Sequence, residues 1–570
     1  MHYLQKKNRA LYFFAALIAA AVCVLIFEYN GVGDSDYYWH IVLGREICQT
    51  HSIPTQDTFS WLSESLGLQE TAHSWLGSVI LYKLSLINTN PMYGQLIFVF
   101  LSAFAYALFV DIAWGKELND PFENCLFVCL VTALMTWGGR PMNIGILLFA
   151  ISFYLLNDGY RNPESKKYRL LPIVAILWAN IHGGSLPILF AFNTLFVAMS
   201  FLPDVNTFGL VNEREQPTAR ARKMGSLLVV NMLAGLLNPY GFKLYYYFFI
   251  TNNEATKRYV SEWQPSALAD PVVFFCIAFL FVIVASRTKI RLTEFLPILC
   301  CLLLTSRYVR IRSYLLVVMI PLIFRFLSVM MKEQENRMWK NGGRFTMGFT
   351  GKSKFWTIVT SAALVVACCI YAPFIATNPE KTGDKMDAEF VELLHAINPQ
   401  RMYTSYNDGG YAIYHGFQSF CDSRADLFPE DALDASIQLA FSSGTTDTTY
   451  RDALSKWDFD AVLLSKESNA PAIEFMEVLP GWEKTIENDY YVIFTPQQPI
   501  PPPFGLCRGA FLFSAFCQNS FSMSPFCIAF HGIKCPILPY SAESALRIMV
   551  AKSANCNHFE FLSILTNGVF

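Results

Sequence analysis

Just past the first apolar run lies Gly33-Asp34-Ser35-Asp36-Tyr37-Tyr38-Trp39-His40, which places two carboxylates, an imidazole and three aromatic rings within eight residues. A carboxylate where a spanning helix leaves the bilayer can act as a general base, or ligate a hard cation such as Mg²⁺ or Mn²⁺. Asp36 and His40 are four residues apart, so on a helix lying along the membrane surface their side chains can meet. The same residues also fit a plainer reading, an aspartate capping a helix and a histidine satisfied at the interface.

Other polar groups punctuate the apolar sequence. Arg307, Arg310 and Arg312 form a dense cationic group, and guanidinium matches phosphate bidentately. They suit either a lipid-linked phosphate or diphosphate leaving group or ordinary lipid headgroups. Asn180 and His182 end a short apolar run and precede Gly183-Gly184. A polar pair at that depth is costly unless it lines a cavity or caps a helix. Arg140-Pro141, Glu262-Trp263 and His73 are candidate substrate contacts. Trp39, Trp61, Trp75 and Trp263 suit an interfacial aromatic belt or a platform for stacking sugars.

These residues need a scaffold, and the composition says which kind. Of 570 residues, 53% are hydrophobic and only 15% charged, against about 25% charged in soluble domains. The net charge of −2 argues against a nucleic-acid partner. The fifteen cysteines fall mostly inside apolar runs without zinc-ligand spacing and read as small packing residues. About eleven apolar runs approach spanning length, near 11–28, 93–114, 121–137, 143–157, 170–181, 186–203, 224–237, 271–286, 292–305, 313–329 and 355–377. The first is read as a retained anchor, since no small-residue cleavage site follows it.

Lysine and arginine crowd into alternate loops, and by the positive-inside rule this places the N-terminus in the cytoplasm. Every segment singled out above then falls on the extracytoplasmic side, beginning with a large first loop at 29–92. The fold class expected is a mainly α, polytopic transmembrane domain over 1–377 with a small extracytoplasmic α/β domain at 378–495. Within the latter, Asp387 to Ile397 reads as an amphipathic helix. Asn407-Asp408-Gly409-Gly410 reads as a turn between short strands at Met402–Tyr406 and Tyr411–Tyr414. A helix near 449–456, a strand at Ala461–Leu464 and a strand pair around Asn488-Asp489 complete it. Residues 496–570 show neither strand nor helix period and read as a disordered tail or as an altered reading frame after a natural end near Pro496.

In order, several stretches resemble a family of bacterial polytopic proteins of the GT-C glycosyltransferase type. They are Asp36-x-x-Trp39-His40 with Gly44, Ile53-Pro54-x-x-Asp57-x-Phe59-Ser60, His73-x-Trp75-Leu76, Arg140-Pro141, Trp178-x-Asn180-x-His182-Gly183, Asn238-Pro239-Tyr240-Gly241, Glu262-Trp263, Gly409-Gly410-Tyr411 and Asp422-x-Arg424. The resemblance covers about residues 11–495. It implies an inner-membrane enzyme that moves a sugar from a polyprenyl-phosphate-linked donor to an extracytoplasmic glycan, lipid or protein, with inversion at the anomeric carbon. On that reading Asp36 is the catalytic base, aided by Asp34 and His40, with Asp34 and Asp36 as candidate metal ligands. Arg307, Arg310, Arg312, His182 and Asn180 face the donor phosphate, and Arg140, Glu262, Trp263 and His73 contact substrate. One position departs: the expected His-Glu-Trp-Leu reads His73-Ser74-Trp75-Leu76, leaving Glu70 as a nearby carboxylate. The alternative is a non-catalytic polytopic scaffold or transporter whose outer domain binds a glycan or protein.

Overall fold

The eleven apolar runs all contain helices in the computed structural model of the chain. They include Arg9–Asn30, Met92–Trp114, Pro121–Ala133, Met142–Arg161, Leu171–Ile181, Pro187–Met199, Pro217–Gly235, Pro271–Ala285, Leu292–Thr305, Arg312–Lys340 and Gly351–Ala376. The structure describes residues 9–497 apart from 31–33, 119–120, 203–204, 208–209, 213–216, 251–256, 259, 267–269, 341–350, 379–383 and 442–446. The expected tail therefore lies, but for its first two residues, outside the described residues.

Among the described residues, four helices are long and apolar enough to cross a membrane, within Met92–Trp114, Met142–Arg161, Val309–Met330 and Ile358–Ala376. Several others are apolar but shorter. Short helices are tolerated where neighbouring protein covers their ends. The first helix packs against Met92–Trp114, Pro121–Ala133 and Gly351–Ala376. Its buried face is built from Ala16, Ala19, Ala20 and Ala21, small residues that let backbones approach closely where lipid removes the hydrophobic drive between helices. A three-stranded sheet unexpected from the sequence joins β1 (Val205–Thr207), β2 (Leu210–Asn212) and β3 (Ile290–Arg291), antiparallel and then parallel.

The long first loop is itself helical: Ser35–Thr50, Trp61–Leu66 and Trp75–Ser85. Local signals explain the first two. Asp34 caps Ser35–Thr50 by accepting the Asp36 amide at 3.2 Å, and His51 closes it in the left-handed region. Ser60 caps Trp61–Leu66 through the Ser63 amide, and Gly67, at φ 63°, ends it.

Beyond the last long helix, β4 (Met402–Tyr403), β5 (Ala461–Ser465), β6 (Trp482–Glu487) and β7 (Tyr491–Pro496) form a sheet ordered β4-β5-β7-β6. β4 runs parallel to β5, and the other pairs are antiparallel. The Ala388–Ile397 helix, capped by Asp387, and the strand pair flanking Asn488-Asp489 stand as the sequence predicts. One element is corrected. Gly409–Tyr414 is a helix rather than a strand. A Cβ on Gly410 would lie 2.2 Å from the Ser35 carbonyl oxygen, so the glycine lets this short helix abut the start of the Ser35–Thr50 helix.

The core of the sheet extends into the first loop. One buried cluster joins Trp61 and Leu62 to Tyr403, Phe420 and Phe494. Another joins Tyr37, Tyr38 and Ile41 to Phe390, Leu394 and Ile493. The Trp61 indole donates to the Met402 carbonyl at 3.0 Å, and Ser60 to the Phe420 carbonyl at 2.9 Å.

Candidate active site

A cavity of about 860 Å³ opens where the first loop, the membrane helices and the C-terminal sheet domain meet. Its volume falls in the ~300–1,000 Å³ range of ligand sites. Each of the five segments expected on one face contributes to its wall: Asp36, Arg140, His182, Glu262 and Arg310 all line it.

Four turns set these side chains. Asn143 grips the turn before its own helix, donating to the Gly138 carbonyl at 2.8 Å and accepting from the Gly138 amide at 3.3 Å, and so presents Arg140. The Leu171–Ile181 helix stops at His182, at φ −152° and ψ 62°, and restarts at Pro187 after one 3-10 turn. The Gly183 amide donates to the His73 carbonyl at 2.9 Å, tying that break to the first loop. Gly77 allows the same join, since a Cβ there would meet Pro141 and the Ile181 carbonyl at 2.6 and 2.7 Å. The Val309 amide donates to the Gln264 carbonyl at 2.9 Å, which aligns the 261–263 and 309–311 turns.

At one pole, three carboxylates surround one guanidinium. Arg140 Nε lies 2.8 Å from Asp34 Oδ2 and 3.0 Å from Asp36 Oδ2, and its Nη1 lies 3.0 Å from Glu262 Oε1. Asp36 also accepts from the Ser423 hydroxyl and, at 3.3 Å, from the Trp39 indole. Burial pushes the Asp36 carboxyl up to about 6, against the pull of Arg140 and with the push of Asp34. Asp36 and His40 do not meet as the spacing allowed. The buried His40 ring turns to Ser78, Nδ1 to Oγ 2.7 Å, and lies against Trp39 with ring centres 3.7 Å apart.

At the other pole, Arg310 stacks over the Trp263 ring at 4.6 Å and has no carboxylate partner among the described residues. His73 and His182 stand nearby, ring centres 5.9 Å apart. Burial holds both imidazoles below their ordinary value, His182 well below, and the charge of Arg310 lowers them further. Both are therefore neutral at physiological pH. His182 Nδ1 lies 2.6 Å from Ser185 Oγ, which also accepts from the Trp178 indole at 2.8 Å. Tyr247 stacks on His73 and donates to Asp426.

Three of the sequence's donor-phosphate candidates are placed elsewhere. Arg312 is committed to Asp270 at 2.9 Å and to Thr136. Arg307 is exposed outside the cavity wall. Asn180 serves as a clamp, accepting from Trp75 at 3.0 Å and donating to the Ile176 and Leu237 carbonyls at 2.8 and 2.9 Å. Among the tryptophans, Trp39 and Trp263 line the cavity, and Trp61 is core.

Glu70 does line the cavity, but it is paired. Arg424 donates to Glu70 at 2.7 Å, to Asp422 at 2.7 and 2.8 Å, and to Asp57. Burial pushes Glu70 up to about 8, partly offset by Arg424. Burial raises Asp57, but the charge and hydrogen bonding of Arg424, with hydrogen bonds from Glu70 and the Phe59 amide, together hold it below its ordinary value. Glu70 therefore keeps the proton and Asp57 the charge. Ser423 and Arg424 are site residues that residue-level reading missed; the only signal was Asp422-x-Arg424 in the family resemblance.

The expectation of Mg²⁺ or Mn²⁺ at Asp34 and Asp36 can be tested on their partners. Both carboxylates are held by Arg140, and Asp34 Oδ1 also caps a helix. Among the described residues no group of three His, Cys, Asp or Glu side chains is arranged to hold a metal. As arranged, these residues do not fit a divalent ion.

No protein-family model matches the sequence, and a search of curated proteins found no match. Solved structures do match in shape. The archaeal oligosaccharyltransferase AglB from Archaeoglobus fulgidus, in complex with an inhibitory peptide and a dolichol-phosphate, superposes with a TM-score of 0.52. The match covers 82% of this chain and 70% of that one at 10% identity. The apo form of the A. fulgidus oligosaccharyltransferase gives 0.49 over 81% and 70% at 11% identity. The chain therefore shares its overall fold with the polytopic archaeal oligosaccharyltransferase AglB.

Proposed function

We propose that the protein is a membrane glycosyltransferase that moves a sugar from a polyprenyl-phosphate-linked donor to a glycan, lipid or protein acceptor on the extracytoplasmic face. The observation that carries this reading is the pairing of groups in one cavity: a half-buried carboxylate at Asp36 and a guanidinium at Arg310 that pairs with no carboxylate among the described residues. Asp36 takes the proton from the acceptor hydroxyl or amide as the acceptor bonds to the anomeric carbon. The bond from that carbon to the phosphate oxygen breaks, and Arg310 stabilises the charge on the departing lipid phosphate. Attack opposite the leaving group inverts the anomeric centre. The dolichol-phosphate and peptide bound to the structurally similar AglB support a lipid carrier and admit a peptide acceptor.

The test uses the protein in nanodiscs with a panel of polyprenyl-phosphate sugars. Wild type binds a carrier, Arg310→Ala loses at least tenfold in affinity, and Asp36→Asn binds but loses turnover by a factor of 10² or more. Full turnover by Asp36→Asn sinks the base assignment. Failure of every carrier to bind shifts the case to a scaffold whose outer domain holds a partner.

A further inference from the structure

Arg140 bridges segments far apart in the chain. Asp34 and Asp36 come from the first loop, Arg140 from the turn before Met142–Arg161, and Glu262 from the turn before Pro271–Ala285. Like charges this close repel unless a cation lies among them. In metal-using sites a divalent ion fills that role, binding several carboxylates and leaving a position for substrate. Here a guanidinium lies at that point. Its Nε and Nη1 are committed to carboxylates, while Nη2 has no partner among the described residues. The side chain is 35% exposed and lines the cavity, so it is not simply a core ion pair.

We propose that Arg140 is the resident cation of this site: it holds Asp34, Asp36 and Glu262 together in place of a divalent metal and leaves one N–H edge for an oxygen of the bound substrate. An arginine carries one charge where the metal carries two, and a planar fork of donors where the metal accepts an octahedron of oxygens. The two are therefore alternatives, and wild type excludes the metal from these carboxylates. The inference goes beyond the transfer reaction and does not depend on it, because metal binding is measured without any sugar.

The experiment titrates Mn²⁺ into the full chain in nanodiscs, following the electron paramagnetic resonance signal of free Mn²⁺. Thermal unfolding is measured in parallel. Wild type and Arg140→Lys leave Mn²⁺ free. Arg140→Gln, with the guanidinium gone, binds one Mn²⁺ per chain at least tenfold more tightly than wild type, and its lowered melting temperature recovers when Mn²⁺ is added. Adding Asp36→Asn to Arg140→Gln abolishes both effects. Mn²⁺ binding by wild type that Asp36→Asn removes would overturn the proposal. So would an Arg140→Gln protein that neither binds Mn²⁺ nor is restabilised by it, since Arg140 would then be a structural clamp and no stand-in for a cation.

Discussion

Asp36 sits between donors and anions: Ser423 and Trp39 donate to it, Arg140 is paired with it, and Asp34 and Glu262 stand close by. A base must be ionised before it can take a proton. With burial raising its carboxyl to about 6, transfer should rise about tenfold per pH unit below that point and level off above it. A kcat/KM profile that is flat between pH 5 and 8 would count against Asp36 as the base. Glu70 makes a prediction of stability instead. Its folded value of about 8 lies above the ordinary 4.5, so the folded protein holds a proton that the unfolded chain releases between those values. Its contribution is complete below about 4.5 and is lost as pH rises through 8. The melting temperature of wild type should therefore fall from pH 5.5 to 8.5 by more than that of Glu70→Gln. An equal fall in both would show that Glu70 does not hold the proton. At this scale the sequence is a fair guide to residue type and a poor one to commitment. Arg310 and Arg312 look alike in the chain, yet Asp270 neutralises only Arg312, and that pairing arises from packing between separate helices.

At the level of elements, much of the site depends on close backbone approaches. Gly410 lets the Gly409–Tyr414 helix touch the Ser35 carbonyl, one residue before Asp36. Gly410→Ala would force two backbones apart, at a cost of about 1–3 kcal/mol. The expected result is a lower melting temperature together with weaker transfer, because the contact between Asp36 and Ser423 crosses the same junction. An unchanged melting temperature would mean that the junction gives way freely. The apolar period made the membrane helices legible, and Asp387 marked its helix. Gly409-Gly410 misled because a glycine pair after Asn-Asp is also hairpin chemistry. Its real role is set by Ser35, which is distant in sequence. In the first loop only the stretch around Asp36 and His40 reads as helix; its full extent and the two helices that follow are obscured because aromatic and polar residues are buried together, as Tyr37, Tyr38, Trp39 and His40 are, which leaves no clean amphipathic stripe.

Across the whole molecule, the cavity belongs to no single segment. The expected membrane part supplies Asp36, Arg140 and Arg310, and the C-terminal part supplies Tyr406, Ser423 and Arg424. A chain ending at residue 377 should accordingly bind no carrier and should show Trp61 and Leu62 accessible to solvent, measured by tryptophan quenching. Retained carrier binding would show that the membrane helices suffice. That the polar clusters share one side of the membrane is an expectation readable from charge and apolar runs alone. Their convergence on one cavity was not, because it requires the fold.

The hydrogen bonds between Phe59-Ser60 and Ser419-Phe420 join positions 360 residues apart. At ribosomal speeds of about 5–20 residues per second, the first strip of chain waits roughly 20 to 70 s for its partner to be synthesised. Through that interval Trp61 and Leu62 have no sheet to cover them. Biogenesis of this protein therefore includes an obligatory period of exposed, half-built surface, and the fold becomes whole only when almost its last described strand has emerged.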